Sequence, residues 1–535
     1  MAPKVLLSSV FKPFAVNDLY SRKESILELF HNQLTKYQGI YSIRTSYDSY
    51  GIHAIANNLG TPCTVLDFPS QKRFIREIKK GYDYVGISSI VQNFQKVKWM
   101  VEQTRKISPQ SKIIVGGFCA DIPDLQKILD VDYVCLGEGI SFMRDLLGLP
   151  VEFDFKNPDI STAFREILGV PLFGIPKIPQ IAIGLGCSYG CDFCCPSHFF
   201  GRRHINFYTS GRKLFDEISR LDDLFKPNLI SFIGDDNFLI DLNRAEELRR
   251  CVVKSGRIFN FLIFASADKI IDFGIDKLAE MGAETIWIGR ESRFSNYPKN
   301  RNIDMRELIG QLRSYGIKTI LSSILLLDGH TKENIRTDIE EHIACRPTFS
   351  QFSHYAPLPQ TPLWNRMRDE GRLLPGTPWE EMHAFNEPWF HHPHFTVQEG
   401  KAIQEHAYLR DFHELGPSPL RAIEIEYEGW KNLHRSEKSH FRARAHFLSQ
   451  QLKRHKILLQ AMHDLVPTEH MRQLIKDVQT KVENSFGKTN ALEIAVAQGI
   501  FLAGRFREFR NRHWGDVIQP HTRIVHYNDR PNKRS

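Results

Sequence analysis

Two successive runs of strand–helix alternation, parted by a proline-bearing stretch, set the strongest limit on how this chain can fold. In the first run, residues 4–9, 64–67, 84–88, 112–115 and 132–135 are short and apolar. Amphipathic segments lie between them at 53–59, 72–80, 94–107 and 125–130. Alternation at this spacing means a parallel sheet wrapped by crossover helices. The second run offers strands at 180–185, 229–233, 259–265, 285–288, 319–325 and 351–356. Its helices fall at 211–222, 243–255, 274–281, 305–315 and 332–344.

An α/β chain of two sheets follows. Five strands in the first run fit a Rossmann-like (flavodoxin-like) doubly wound sheet, with ligands at the carboxyl ends of its strands. Residues 11–50 are long for one first connection, so an inserted helix is expected there. Six βα units in the second run fit a partial (β/α)6 TIM-type barrel, active at its strand C-terminal ends. The stretch between holds Pro150, Pro158, Pro171 and Pro176 without a clear period, and reads as a linker packed on the surface. Beyond a Pro- and aromatic-rich stretch at 375–395, residues 397–514 turn helical. The expected organisation is a Rossmann-like domain over 1–148, a linker over 149–177, a barrel over 178–370, a mostly helical C-terminal region over 371–520 and a polar tail over 521–535 that frays.

Composition excludes several classes. Over 535 residues, 42% hydrophobic and 25% charged content rules out collagen-like, coiled-coil and wholly disordered chains. The net charge of +8 is mild for this length, so no nucleic-acid partner is expected. No run approaches the ~18 apolar residues needed to cross a bilayer. The strongest, 319–327, is broken by Ser322 and Ser323, and residues 5–10 are too short for a signal peptide. Nine cysteines, an odd number with no export signal, point to a reducing cytoplasm.

Three of those cysteines fall within eight residues, in Gly186-Cys187-Ser188-Tyr189-Gly190-Cys191-Asp192-Phe193-Cys194-Cys195, directly after the first strand of the second run. Three thiolates at C-x3-C-x2-C spacing on one tight loop can hold three irons of a cubane and leave the fourth open to a small chelating molecule. Gly184, Gly186 and Gly190 let the backbone wrap close and aim amides at the sulfurs. The same cysteines with Cys195 or His198 could instead bind zinc, although no second ligand pair occurs.

This run resembles the cluster motif of the radical S-adenosylmethionine superfamily. The resemblance implies a 4Fe-4S cluster on Cys187, Cys191 and Cys194, with S-adenosyl-L-methionine chelating the open iron and cleaved to a 5′-deoxyadenosyl radical. It puts Phe193 near the adenine and Asp235 and Asp236, after the second strand, near the methionine amine; the alternative for that pair is a helix cap. Gly289, Arg290 and Glu291, ending the fourth strand, look like the element near the ribose and carboxylate, with Ser266 and Asp268 as weaker candidates. Tyr355-Ala356-Pro357-Leu358-Pro359-Gln360-Thr361-Pro362-Leu363 resembles the barrel-ending signature of one large branch, with Gln360 where that branch has Gly.

The N-terminal unit is similar to the cobalamin (B12)-binding domain that precedes the barrel in that branch. The resemblance rests on strand ends bearing Ser88, Ser89, Gly116, Gly117, Gly137, Glu138 and Gly139, where small residues let a flat macrocycle approach. The Asp-x-His-x-x-Gly element that supplies a cobalt ligand is missing, which permits cobalamin without a protein lower ligand and equally a domain that has lost it. The resemblance spans residues 1–370.

What it implies is cobalamin-dependent methylation of an unactivated carbon on a lipid or natural product. Cyclisation, carbon–carbon coupling or rearrangement by the same radical, and a non-catalytic cobalamin-sensing protein, are the competing readings. Expected partners are the small-molecule or lipid substrate and an electron donor such as flavodoxin or ferredoxin. The basic helices over 431–454 read as a solvated face or a contact with an anionic membrane surface. His391, His392 and His394 read as a lid or interdomain loop, with metal or pocket roles as the alternative.

Overall fold

The structure is a computed structural model; it describes residues 3–23, 28–45, 48–171, 177–515 and 517–528. In the first domain β1 (Val5–Ser8), β2 (Cys63–Asp67), β3 (Tyr84–Ser88), β4 (Lys112–Gly116) and β5 (Tyr133–Val134) form a parallel sheet in the order β2-β1-β3-β4-β5. Every residue of β1 is buried, because helices cover both faces. Leu6 packs on one side with Phe74 and Val97, and Val5 and Leu7 on the other with Ile52 and Met143. A strand buried on both faces reads as a continuous apolar run, which is why these strands were legible. The order reverses at β1 and β3, so a crevice opens outside their carboxyl ends.

The second sheet runs β6 (Ile178–Ala182), β7 (Ile230–Ile233), β8 (Phe261–Phe264), β9 (Ala283–Glu291), β10 (Lys318–Leu325) and β11 (Phe349–His354), all parallel and in chain order. Helices on its outside bury Leu214, Leu248, Leu278 and Leu312 against the strands. Among the described residues no pairing closes β11 onto β6, so this is the expected partial barrel. Five helices follow: Val397–Leu415, Ser418–Leu433, Ser439–Leu465, Glu469–Phe486 and Ala491–Trp514.

Two expectations need correction. The tail does not fray throughout: Arg523–Tyr527 forms β12, antiparallel to β2 with Arg523 opposite Asp67 and Tyr527 opposite Cys63. An open sheet edge is a template for pairing, and the Tyr527 hydroxyl sits 2.8 Å from His53 Nδ1. Residues 529–535 lie outside the described residues. The inserted helix in 11–50 is instead a turn of π-helix at Phe30–Leu34, a 3-10 turn at Gly39–Tyr41 and a short strand at Arg44–Thr45. Long-range bonds hold it: the Tyr408 hydroxyl donates to Gln33 O at 2.6 Å, and Arg44 pairs with Glu28 at 2.6 Å in a buried setting. The linker stretch carries short strands of its own. Phe164–Ile167 pairs with Arg44–Thr45 and Val170–Pro171, and Ser161–Thr162 pairs with β6. Pro176 lies outside the described residues.

Candidate active site

A cavity of about 380 Å³, partly open to solvent, lies between the carboxyl ends of the two sheets. The first domain contributes Gly86, Ser88, Gly116, Gly117, Gly137, Glu138 and Gly139, and the helix Tyr50–Asn58 contributes Ile55. The barrel side contributes Leu185, Pro196, Phe199, Phe200, Gly234 and Asp236. Apolar atoms dominate the walls, and no histidine is among the lining residues. Gly117 has φ +70°, and a Cβ there would stand 2.4 Å from the Ser89 carbonyl oxygen. The flat floor thus requires glycine.

Six of the seven candidates for the first-domain ligand line this cavity; Ser89 does not. Its hydroxyl is nevertheless buried and without a hydrogen-bond partner in the structure. Glu138 turns its carboxylate to the N–H groups of Ile140 and Ser141, at 2.5 and 2.8 Å, and so caps the helix Gly139–Leu146. It shapes the rim through the backbone.

The cysteine loop follows β6 and leads into the short helix Cys195–Phe199. Local bonds fold it tightly. Gly190 N–H donates to Ser197 Oγ at 3.2 Å, Ser197 Oγ donates to Cys187 O at 2.6 Å, and Cys194 N–H donates to Cys191 O at 3.0 Å. Gly186 N–H donates to Asp236 Oδ2 at 3.1 Å, which ties the loop to the end of β7. The Tyr189 hydroxyl donates to Asp268, next to Ser266 Oγ at 3.3 Å. Asp192 accepts the hydroxyls of Tyr297 at 2.8 Å and Tyr355 at 2.5 Å, while its carbonyl takes Leu363 N–H at 3.1 Å. Phe193 stands edge-on to Tyr297 at 5.3 Å.

Burial raises the thiol pKa of Cys187 and Cys191, and that of Cys194 to about 12. Ligation needs thiolates, so a positive metal centre must supply the compensating charge. Cys195 faces the other way and donates to Asp121 Oδ2 at 3.7 Å. His198 Nε2 sits 3.0 Å from Cys191 O. Among the described residues no group of three or more His, Cys, Asp or Glu side chains is arranged to hold a single metal ion. A cubane asks for one thiolate at each of three separated irons, and the three cysteines of the loop could supply them.

The remaining candidates divide. Asp235 is buried, paired with Arg244 at 3.2 Å and with His204 at 3.1 Å, and it also receives Asn237 N–H. Its carboxylate is thus engaged within the protein, whereas its neighbour Asp236 lines the cavity. Burial, and then the adjacent Asp235, raise Asp236 to about 7. Ser266 exchanges hydrogen bonds with Asn237 and steadies Tyr189.

A register shift in β9 between Gly289 and Glu291 separates the next three side chains. Glu291, at φ +60°, turns toward Lys299 Nζ at 2.5 Å, over Gly289, where a Cβ would stand 2.3 Å from the carboxylate. Arg290 points away, to Asp338 at 2.8 Å and Ser323 Oγ at 3.1 Å. A buried guanidinium must be paired, and Asp338 supplies that pair for Arg290.

Lys299 is the cation that sequence reasoning missed. Burial would lower its ammonium, but Glu291, with Cys191 and Cys194, raises it above its ordinary value. It sits in a loop with no period, in Pro298–Asn300, anchored when Asn300 donates to the carbonyls of Gly289 and Arg290 at 2.9 Å. Gln360 adopts φ +64°, the conformation glycine favours. His392 binds Leu327 O at 3.0 Å, and His391, His392 and His394 are absent from the cavity walls.

Comparison with known proteins fits this geometry. Residues 43–147 match the B12 binding domain family. Over 266 residues the chain is 23% identical to hopanoid C-2 methylase of Rhodopseudomonas palustris strain TIE-1, spanning 45% of this chain and about half, 50%, of that protein's length. It is 23% identical over 383 residues to an uncharacterized methyltransferase of Pyrococcus horikoshii, spanning 65% of this chain and 82% of that one. Its fold is similar to that of the radical S-adenosylmethionine methyltransferase TsrM from Kitasatospora setae, solved with cobalamin and a [4Fe-4S] cluster bound. That match has TM-score 0.55 at 14% identity and covers 84% of this chain and 99% of the other. A second TsrM structure, with tryptophan substrate and the analogue aza-SAM, gives TM-score 0.53 at 15% identity over the same 84% and 99%. At such identity the likeness is one of fold.

Proposed function

We propose that this chain, whose residues 43–147 match the B12-binding domain family, is a radical S-adenosylmethionine protein and a cobalamin-dependent C-methyltransferase acting on an unactivated carbon of a lipid or natural product. The observation behind this reading is one shared cavity. The glycine floor of the first sheet and the helix that starts at the cysteine loop face each other across it, with Phe118 and Phe199 edge-on at 5.0 Å.

When bound, a 4Fe-4S cluster, S-adenosyl-L-methionine and cobalamin would together supply a radical initiator and a transferable methyl group. The chain's own work is to hold and shield. Cys187, Cys191 and Cys194 would hold the cluster. Glu291 and Lys299 offer paired charges for a zwitterionic ligand beside that loop. Phe193, Tyr297 and Tyr355 offer an aromatic surface for a purine. Gly116, Gly117 and Gly137 would floor the corrin, and no histidine is among the residues lining that cavity. The apolar walls would offer few hydrogen bonds to water, which favours shielding of a reactive centre once the cavity is filled. The substrate class draws support from the name of the hopanoid C-2 methylase relative, and an electron donor of the flavodoxin or ferredoxin class fits a cluster needing one electron.

Anaerobic reconstitution with iron, sulfide and cobalamin tests this reading. The expected result is a brown protein that retains corrin and turns S-adenosylmethionine over to S-adenosylhomocysteine and 5′-deoxyadenosine. A reduced, reconstituted sample that forms neither product would sink it.

A further inference from the structure

The helix Ala491–Trp514 turns an apolar stripe to solvent. Leu492 is 75% exposed, Val496 45%, Leu502 66%, Phe506 67%, Phe509 51% and Trp514 73%. At ~100° per residue these six side chains fall within an arc of roughly 140°, and the helix is about 36 Å long. The opposite face is seated: Ala497, Gly504 and Arg507 are buried, and Arg507 Nε donates to Glu166 at 2.7 Å. No other helix among the described residues exposes two large apolar side chains. Solubility alone gives no reason to keep such a stripe, which ordinarily marks an interaction face.

Charge indicates what covers it. The helix carries Arg505, Arg507, Arg510 and Arg512 near its C-terminal end. Its two acidic residues are engaged, Glu493 with Asn490 N–H and Lys456, and Glu508 with Arg505. Arg510 and Arg512 are exposed, and the closing Trp514 has the amphipathic ring suited to a headgroup zone. No helix among the described residues is long and apolar enough to cross a membrane. An exposed apolar stripe with arginines and a tryptophan at one end suits the plane of an anionic lipid surface, the other face of this helix being seated on the protein.

We infer that Ala491–Trp514 docks the protein on a bilayer bearing anionic headgroups, with Leu502, Phe506 and Phe509 inserted at the acyl boundary and Arg510 and Arg512 at the phosphates. This docking is independent of the reaction proposed above. It places the surface contact on the last helix rather than on the basic helices over 431–454.

Co-sedimentation with vesicles of phosphatidylcholine mixed with phosphatidylglycerol, against phosphatidylcholine alone, tests it on the full chain. The native protein is expected to bind the anionic vesicles about 10-fold more than the double variant Phe506→Glu/Phe509→Glu. A second variant, Arg510→Gln/Arg512→Gln, is expected to lose the preference for anionic vesicles while its melting curve is unchanged, so the test survives poor folding of the first. Equal binding by native and variant protein overturns the inference. So does sedimentation equilibrium showing a native dimer that the Phe506→Glu/Phe509→Glu change dissociates without any vesicle binding, since the stripe would then be covered by a second copy.

Discussion

Cys195 Sγ reaches Asp121 Oδ2 at 3.7 Å, so the residue directly after the third cysteine of the loop is bonded to the opposite domain. Its thiol is already used as a donor, and burial with the carboxylate beside it raises its pKa. Adjacent cysteines thus have opposite duties. Cys195→Ser is expected to keep the full iron and acid-labile sulfide of the native protein. Alanine at Cys187, Cys191 or Cys194 is expected to lose the cluster absorbance and S-adenosylmethionine cleavage. Metal and sulfide analysis after anaerobic reconstitution checks both; an iron deficit in Cys195→Ser would make it a ligand.

Neighbouring charges on β9 give a second contrast. Glu291 faces Lys299 at 2.5 Å, while Arg290 faces Asp338 at 2.8 Å on the other side of the strand. Glu291→Gln is expected to weaken S-adenosylmethionine binding about 10- to 100-fold, the equivalent of ~1.5–3 kcal/mol for a charged hydrogen bond. Arg290→Met is expected to leave that affinity in place but to lower stability by ~3–5 kcal/mol, since it strands a buried carboxylate. Anaerobic calorimetry and denaturant unfolding separate the two, and an affinity loss at Arg290 without a stability loss would reverse the assignment.

Gly117 tests the cavity floor. With φ +70° and the Ser89 carbonyl 2.4 Å from where a Cβ would stand, alanine must push backbone rather than a flexible side chain. Gly117→Ala is expected to cost about 1–3 kcal/mol and to reduce corrin retained after gel filtration. Full corrin occupancy in this variant would place the macrocycle elsewhere.

Gln360 holds a glycine-like conformation at φ +64° while its side chain stays exposed. The left-handed region costs a non-glycine residue about 1 kcal/mol, part of which glycine returns as chain entropy in the unfolded state. Gln360→Gly is therefore expected to be neutral to stabilising by up to ~1 kcal/mol, and Gln360→Val destabilising, both read from thermal melts.

A pH test comes from the seam between barrel and helical region. Burial would raise the Glu426 carboxyl, but Lys318 at 2.8 Å and then His455 at 2.8 Å outweigh it and lower it from 4.5 to about 2. The folded pKa lies below the unfolded one. The stabilisation is therefore complete above about pH 4.5 and is lost as pH falls through about 2. Glu426→Gln is expected to cost ~3 kcal/mol at neutral pH and to flatten the acid limb of a melting-temperature profile. An acid limb identical to that of the native chain would refute the assignment.

Much of the architecture was legible because its signals are local. Residues 113–115 of β4 are apolar without interruption, since helices cover both faces of the sheet. The three cysteines lie close enough in the chain for one loop to gather them. What stayed hidden depended on partners distant in sequence. The segment 30–45 has weak periodicity because its bonds run to Gln351, Tyr408 and Glu166. Arg523–Tyr527 looks like a polar tail until β2 offers an unpaired edge about 460 residues earlier.

The chain alone determined the two parallel sheets, their order along the sequence and the identity of the three clustered thiols, because periodicity and spacing record which face each residue buries. Only the tertiary structure decided that both sheets open on one cavity, that Lys299 rather than Arg290 stands beside Glu291, and that Asp235 serves Arg244 while Asp236 faces the cavity. A side chain's charge is written in the sequence, but the direction it faces depends on a strand's local twist and register and on which buried partner meets its desolvation cost.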